Sequence, residues 1–567
     1  MLNNIQHKFK LYLFAAICST TVFVSCEKEK GLTEDPYAGG KKPLDITFVS
    51  KTTDPDVLKV GDVLSLKVKG LGKYINDFKV FVNEVEAEVD LKSSNDSTLT
   101  FKIPVNASTG SMWISSQGQS FFGPLVKIGG KLNVDPTWKV INGATNTSGF
   151  STVFDIEALP SGRYFLGGAF NNFELKGTEK LPNGGIVQLL NDGTYSTDAI
   201  NFGKGAGGSE KTIYSITRIS AGAQAGKFIV AGSFTSYNST RINRQTLNNI
   251  TRLNANGSLD TIKTADRDAL GNSLVPIVNP KPAETWKNGD TVAAFNAGVD
   301  GMVRKTFVFG EQVYIIGNFY NYKRMFLPNS SYDDKIYDLT RMRQMVRVNM
   351  DGSMDSTFHY NKSTRQSAIG ANGVILDAMM QNDGKLILVG TFTTFNGVQA
   401  NRIVRINLDG SVDNSFSTGA GANGDIYSVR YNSATNNIVL GGAFTAFNGK
   451  NASGINLLNA DGTNVSTFSG LAVTGGIVNF VGQLNNGRIL VSGSFNKYGD
   501  YLRQGFMVLE ANGALAVGYN NTGGFQGKIY DMLETTTSSG SQVILVGDIL
   551  RFNSVLPRNV MRLNFTN

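Results

Sequence analysis

The chain has 567 residues, only 17% of them charged, and a formal net charge of +8. No long basic block alternates with aromatic residues, so the electrostatic footprint that phosphate backbones require is missing and nucleic acid is excluded as a partner. A content of 64 Gly, 35 Phe and 19 Tyr describes many short strands joined by tight turns, which predicts an all-β chain of more than one domain.

Residues 1–25 have the parts of an export signal: Lys8 and Lys10, an apolar run from Leu11 to Val24, and Ser25 ahead of Cys26. The run is too short and wrongly flanked to remain as a membrane span. The only other cysteine, Cys18, lies inside the segment that would be removed, which leaves no disulfide and points Cys26 towards attachment. Phe23-Val24-Ser25-Cys26 resembles the lipobox of bacterial lipoproteins. The resemblance implies lipid on Cys26 and membrane anchoring through two or more acyl chains. Glu27-Lys28-Glu29-Lys30 resembles the charged stretch that sends Bacteroidetes lipoproteins to the outer leaflet, implying an outer-membrane protein facing the exterior. Residues 26–42 read as a linker, being polar and Gly-rich without an apolar period.

Residues 43–130 carry period-2 runs at Asp45-Ile46-Thr47-Phe48-Val49, Leu64-Ser65-Leu66-Lys67-Val68, Phe78-Lys79-Val80-Phe81-Val82 and Thr98-Leu99-Thr100-Phe101-Lys102-Ile103. Such alternation predicts half-buried strands and a two-sheet sandwich. With turns at Gly61-Asp62, Gly70 and Asn83, and the Ile103-Pro104 ending, the segment resembles the IPT/TIG family of immunoglobulin-like domains. That resemblance implies a spacer that presents the larger domain.

Residues 131–567 repeat a Gly-small-Phe unit at Gly168, Gly232, Gly317, Gly390, Gly442 and Gly493, with a degenerate copy at Gly547-Asp548-Ile549. An aromatic follows three residues after each copy: Phe173, Tyr237, Tyr322, Phe395, Phe447, Tyr498 and Phe552. Further strands lead into Asn256-Gly257, Asp351-Gly352 and Asp409-Gly410, whose residue types accept the positive φ of hairpin turns. Asp-x-x-aromatic comes next, at Asp355 to Phe358 and Asp413 to Phe416. A spare copy, Asp135-Pro136-Thr137-Trp138, precedes the first unit, while the last stops without one. Exchange of that strand predicts a closed ring, a seven-bladed β-propeller completed by the strand near Trp138. The pattern resembles the delta-60 repeats of bacterial propellers, and the whole chain resembles Bacteroidetes surface lipoproteins.

Chemistry is scarce. Beyond the signal there is one histidine, His359, next to a repeat aromatic, which reads as a core neighbour. His/Cys metal sites are excluded by count, and no cofactor is expected. Asp192, Asp351, Asp409 and Asp461 sit at repeat turns, where carboxylates satisfy backbone donors. Insertions after Asp260 and between Phe319 and Arg347 hold Trp286, Tyr320, Phe326, Tyr332 and Tyr337 with Asp333 and Asp334. Aromatic faces flanked by polar groups on a rigid scaffold suit stacking on sugar rings, and these seven are the candidate ligand-binding residues. The expected function is non-enzymatic binding of a polysaccharide or an outer-membrane protein. The alternatives are a carbohydrate-active enzyme using paired carboxylates near the axis, and a structural partner in an outer-membrane complex.

Overall fold

The computed structural model describes residues 42–147, 149–198, 202–239, 246–263, 291–327, 330, 335–538 and 540–566. Cys26 and the signal lie outside them, as do Trp286, Tyr332, Asp333 and Asp334.

The N-terminal strands hydrogen-bond in the order Thr47–Phe48, Val63–Lys69, Thr98–Lys102, Val85–Val89, Lys79–Val82, Gly110–Ser116, Gln119–Ile128, Val57–Leu58. Alternation dictates which side chains go inside. Leu64, Leu66 and Val68 are buried between exposed neighbours, and they meet Val80, Val82, Leu99, Phe101, Met112 and Ile114 in one core. Polar contacts fix this region to the C-terminal part of the chain. Thr109 N–H donates to the Asn521 carbonyl (2.9 Å), and Asn521 Nδ2 donates to the Ile128 (3.1 Å) and Leu132 (3.2 Å) carbonyls. A Cβ on Gly130 would come within 2.6 Å of the Gly518 carbonyl, so only glycine fits between the two bodies there.

The remaining chain is a β-propeller of antiparallel sheets set face to face around an axis. Inner, middle and outer strands are Thr152–Ala158, Tyr164–Ala169 and Ile186–Leu189; Thr212–Arg218, Phe228–Ser233 and Ile250–Leu253; Met302–Phe309, Gln312–Asn318 and Met345–Asn349; Ile375–Met380, Leu386–Gly390 and Ile403–Ile406; Ile426–Asn432, Asn437–Gly442 and Ile455–Asn459; Val478–Gln483, Ile489–Gly493 and Phe506–Leu509; and Phe525–Thr537, Gly540–Phe552 and Val560–Thr566. Leu132–Val134 adds a fourth strand to the last of these, pairing Leu563 with Val134 and Phe565 with Leu132. Middle strands such as Leu386–Gly390 are buried on both faces, which is why they read as unbroken apolar runs.

Each repeat motif has a mechanical reason. The glycine of Gly-small-Phe lies against the inner strand's backbone: a Cβ on Gly232, Gly317 or Gly390 would meet the carbonyls of Thr212, Met302 or Val374 at 2.1, 2.2 and 1.9 Å. The aromatic three residues on is buried in every copy. Where it is tyrosine its hydroxyl donates to a hairpin-glycine carbonyl, Tyr237 to Gly257 (3.3 Å), Tyr322 to Gly352 (2.5 Å) and Tyr498 to Gly513 (2.6 Å).

The Asp of Asp-x-x-aromatic holds a buried arginine of the outer strand: Arg347 to Asp355 (2.8 Å), Arg405 to Asp413 (2.8 Å) and, across the chain's two ends, Arg562 to Asp135 (2.6 Å). The guanidinium then lies over the motif's aromatic, Phe358, Phe416 or Trp138, at 5.0, 4.6 and 4.7 Å. The residue after that aromatic donates its N–H to the neighbouring unit's turn, as His359 does to Asp409 (2.9 Å), Ser417 to Asp461 (2.7 Å) and Lys139 to Asp192 (2.8 Å). His359 therefore sits in an inter-unit latch, and burial lowers its pKa to about 4. The turn carboxylates of Asp192, Asp351, Asp409 and Asp461 accept from the backbone two residues on.

Candidate functional site

Every inner strand breaks its register at the same place. The irregularities fall between Val153 and Asp155, Ile213 and Ser215, Val303 and Lys305, Ile375 and Asp377, Ile426 and Ser428, Val478 and Phe480, and Ile529 and Asp531. A β-bulge leaves one residue unpaired and re-aims its side chain. The residues so released are Phe154, Tyr214, Arg304, Leu376, Tyr427, Asn479 and Tyr530, and all of them line one axial cavity of about 80 Å³.

This collar is aromatic and cationic. Phe154 packs between Tyr214 (4.6 Å) and Tyr530 (4.7 Å), and Lys528 Nζ lies 4.6 Å from the Tyr530 ring. Burial, then repulsion from Arg304, lowers the Lys528 pKa. Arg304 Nε and Asn479 Oδ1 are buried without hydrogen-bond partners, one donor and one acceptor left open at the axis.

One residue further along each strand the surroundings reverse. Asp155 Oδ2 accepts from Ile216 N–H of the next inner strand (2.6 Å), Ser215 Oγ from Thr306 N–H (3.1 Å), Asp377 Oδ2 from Val429 N–H (3.0 Å), Ser428 Oγ from Val481 N–H (3.3 Å), and Asp531 Oδ2 from Ile156 N–H (3.4 Å). An inner strand is a sheet edge, and these side chains act as staples, accepting from N–H groups of the neighbouring sheet's edge. The last bond joins the final sheet to the first. At the remaining two places, Lys305 pairs with Asp155 (3.4 Å) and Phe480 lies under the Arg430 guanidinium (5.3 Å). Arg430 also binds Asp377 (2.8 Å), the Tyr530 carbonyl (2.8 Å) and Asp531 (3.4 Å).

The staple layer opens on its other side into a cavity of about 370 Å³ lined by Asp155, Glu157, Thr217, Tyr431, Gln483 and Asp531 among others. Burial, opposed by Lys305 and reinforced by Asp531, raises Asp155 to about 7. Burial and repulsion from Asp155 raise Glu157 to about 8 against the pull of Arg218, 3.8 Å away. Lys305 and Arg430 are raised as well: burial works against their charge, and the surrounding aspartates outweigh it. Among the described residues, no three His, Cys, Asp or Glu side chains are grouped to hold a metal ion.

The loop residues proposed from sequence lie elsewhere. Tyr320 is 56% exposed beside Arg341 (5.7 Å) and Arg343 (5.5 Å). Tyr337 is half-buried under Lys323 Nζ (4.0 Å), and Phe326, also half-buried, donates its N–H to the Ile336 carbonyl (2.8 Å). The hairpin register, Asn321 with Arg341 and Met325 with Tyr337, places Tyr320 at one end and Phe326 and Tyr337 at the other. The axial residues were missed, although Val153-Phe154-Asp155, Ile213-Tyr214-Ser215, Ile426-Tyr427-Ser428 and Ile529-Tyr530-Asp531 carry a readable aliphatic-aromatic-Asp/Ser signal.

Comparison with known proteins agrees with a propeller. Residues 226–261, 381–416 and 434–463 match the model of DUF5122, a domain of unknown function with a β-propeller fold. Residues 22–124 match DUF5008, a second domain of unknown function. No curated protein matches the chain. Similar solved structures include the WD40 β-propeller domain of Doa1 (12% identity, 74% of this chain and 96% of that one, TM-score 0.37). Sqt1 of Saccharomyces cerevisiae is another (11%, 74% and 98%, TM-score 0.35), as is an auxiliary nutrient binding protein of Bacteroides thetaiotaomicron (10%, 93% and 99%, TM-score 0.29).

Proposed function

We propose that the chain is a non-enzymatic binding protein of the cell surface, anchored to the outer membrane by lipid on Cys26. In this reading an IPT/TIG-like spacer carries a seven-bladed propeller whose collar takes a glycan or protein ligand. The observation behind it is the contrast of the two axial layers. The collar side chains are released by bulges, and two keep unused hydrogen-bonding atoms. The aspartates beneath are occupied by backbone N–H groups and cations. A surface built to hold rather than to react has this distribution. The test is a glycan array and an outer-membrane pull-down with the full chain and with Tyr214→Ala/Arg304→Ala. Any glycan or protein whose capture is lost in the double variant supports the collar; a capture profile identical to that of the wild type refutes it.

One observation favours a carbohydrate-active enzyme instead. Asp155 and Glu157, both raised, share a cavity with Asp531, and a glycosidase needs one protonated and one ionised carboxyl. New reducing ends from a glycan incubated with the wild type, and none with Glu157→Gln, would establish that reading.

A further inference from the structure

Where the N-terminal sheet meets the propeller, a cleft of about 520 Å³ opens, far larger than the collar and separate from it. Trp113, Phe122 and Leu125 of the sheet form one side; Gln504, Arg551 and Asn553 of the propeller form the other. The aromatic side follows from register. Phe81 pairs with Trp113, and Trp113 with Phe122, so the three rings stand in one row across adjacent strands. They alternate with the core residues Val80, Val82, Met112 and Ile114, which turns the row outward. Phe122 is 72% exposed.

Phe81 stacks on Trp113 with centroids 4.3 Å apart and planes at 14°. Trp113 lines the cleft together with Phe122, and Phe81, which does not line it, backs the indole from the far side of the row. The bonds through Asn521 and from Lys131 N–H to the Gly518 carbonyl (2.7 Å) hold the two sides at a fixed spacing. A site already formed spends less of its binding energy on ordering.

The two sides together select the occupant. A lipid or an apolar helix needs a second apolar side, and this one is amide and guanidinium. A nucleic acid or acidic chain needs excess positive charge, and here Arg551 is matched by Glu84. A pyranose ring meets both sides: its C–H face covers an aromatic, and its hydroxyls bond amides and guanidinium. The volume falls within the roughly 300–1,000 Å³ of small-ligand sites.

We propose that this cleft binds a neutral saccharide, with Trp113 as the stacking platform and Asn553, Gln504 and Arg551 as hydroxyl partners. The proposal concerns a second site and stands whether or not the collar binds.

The test titrates the full chain with gluco-, xylo-, manno- and arabino-oligosaccharides, reading tryptophan emission and calorimetry, with an oligogalacturonate and an unstructured peptide as charged and non-sugar probes. At least one neutral oligosaccharide is expected to shift the emission saturably. Trp113→Ala and Asn553→Ala should each weaken binding by about tenfold or more. Trp113→Phe should retain binding within a few-fold while losing most of the emission change. Tyr214→Ala/Arg304→Ala, which lies outside the cleft, should leave the Trp113 emission change saturating at the same oligosaccharide concentration. No binding of any neutral oligosaccharide, or binding indifferent to Trp113→Ala and Asn553→Ala, overturns the proposal. Binding lost only in the collar variant overturns it too, while leaving the surface-binding reading intact. An unchanged unfolding midpoint for Trp113→Phe and Asn553→Ala separates loss of the site from loss of the fold.

Discussion

Phe154 and Asp155 are neighbours in the chain, as are Tyr214 with Ser215 and Tyr530 with Asp531, yet the members of each pair meet different surroundings at the axis. The first leaves the ladder at a bulge and joins a collar with open hydrogen-bonding atoms. The second reaches the next inner strand and accepts a backbone N–H. The bulge frees the first side chain, and the open edge of the neighbouring inner strand supplies the donor for the second, so a propeller with bulged inner edges has a place for a ligand beside a row of staples. Titratable side chains near an axis are therefore weak evidence of catalysis until their backbone partners have been counted.

The sharpest way to break this comparison is at adjacent positions of one strand. Asp377→Ala removes the nearer of two carboxylates on buried Arg430 and the acceptor of Val429 N–H, and should cost about 3 kcal/mol, read as a lowered urea midpoint. Leu376→Ala, in the collar, should cost no more than about 1 kcal/mol. Equal losses would mean that collar and staples are not distinct.

The next test is pH. Glu157 rises from 4.5 to about 8 and Asp155 from 3.8 to about 7, chiefly through burial. Over that interval the folded chain keeps protons that the unfolded chain has released, so stability declines with rising pH. The Glu157 contribution is complete below pH 4.5 and exhausted once pH has passed 8, and that of Asp155 runs from 3.8 to about 7. The urea midpoint should fall between pH 5 and pH 8, and Glu157→Gln should flatten that fall. A midpoint that rises over the same range would mean that the staple layer is open to water.

Much of the propeller was legible because its signals are local. Unbroken apolar runs such as Leu386-Ile387-Leu388-Val389 mark middle strands buried on both faces, and Asp409-Gly410 marks a hairpin. The axial site was not, for two physical reasons. A bulge disturbs the period-2 pattern at the very residues that matter, so Phe154 and Asp155 do not read as members of one face. Hairpins of different length, such as Arg218 to Phe228 and Phe309 to Gln312, also shift those residues relative to the Gly-small-Phe landmarks. The row of Phe81, Trp113 and Phe122 was hidden differently, since register is a tertiary property that no single strand announces. The third unit's insertion is conspicuous in sequence for its aromatics, yet Tyr320 and Tyr337 stand at opposite ends of one hairpin.

A staple without charge offers a smaller test. Ser215→Ala leaves Thr306 N–H without its acceptor in a buried setting, and should cost about 1–3 kcal/mol in urea unfolding. A loss well below that range would mean that the neighbouring Thr217 hydroxyl, 2.7 Å from Thr306 Oγ1, takes over the bond.

The smallest effect lies at the outer end of the units. Tyr498 donates to the Gly513 carbonyl (2.6 Å) and accepts from Leu471 N–H (2.9 Å), whereas Phe447 fills the same repeat position with no hydroxyl. The ring is common to both and the hydroxyl is not, so packing is what the position requires. Tyr498→Phe keeps the packing and frees two backbone groups beside exposed Leu471, where water can reach the amide. The loss should be about 0.5–1.5 kcal/mol, with faster hydrogen exchange confined to residues around 471 and 513. A larger loss, or exchange spreading into the inner strands, would show that the hydroxyl ties the outer edge of this unit to its axial staples, making the two ends one cooperative element.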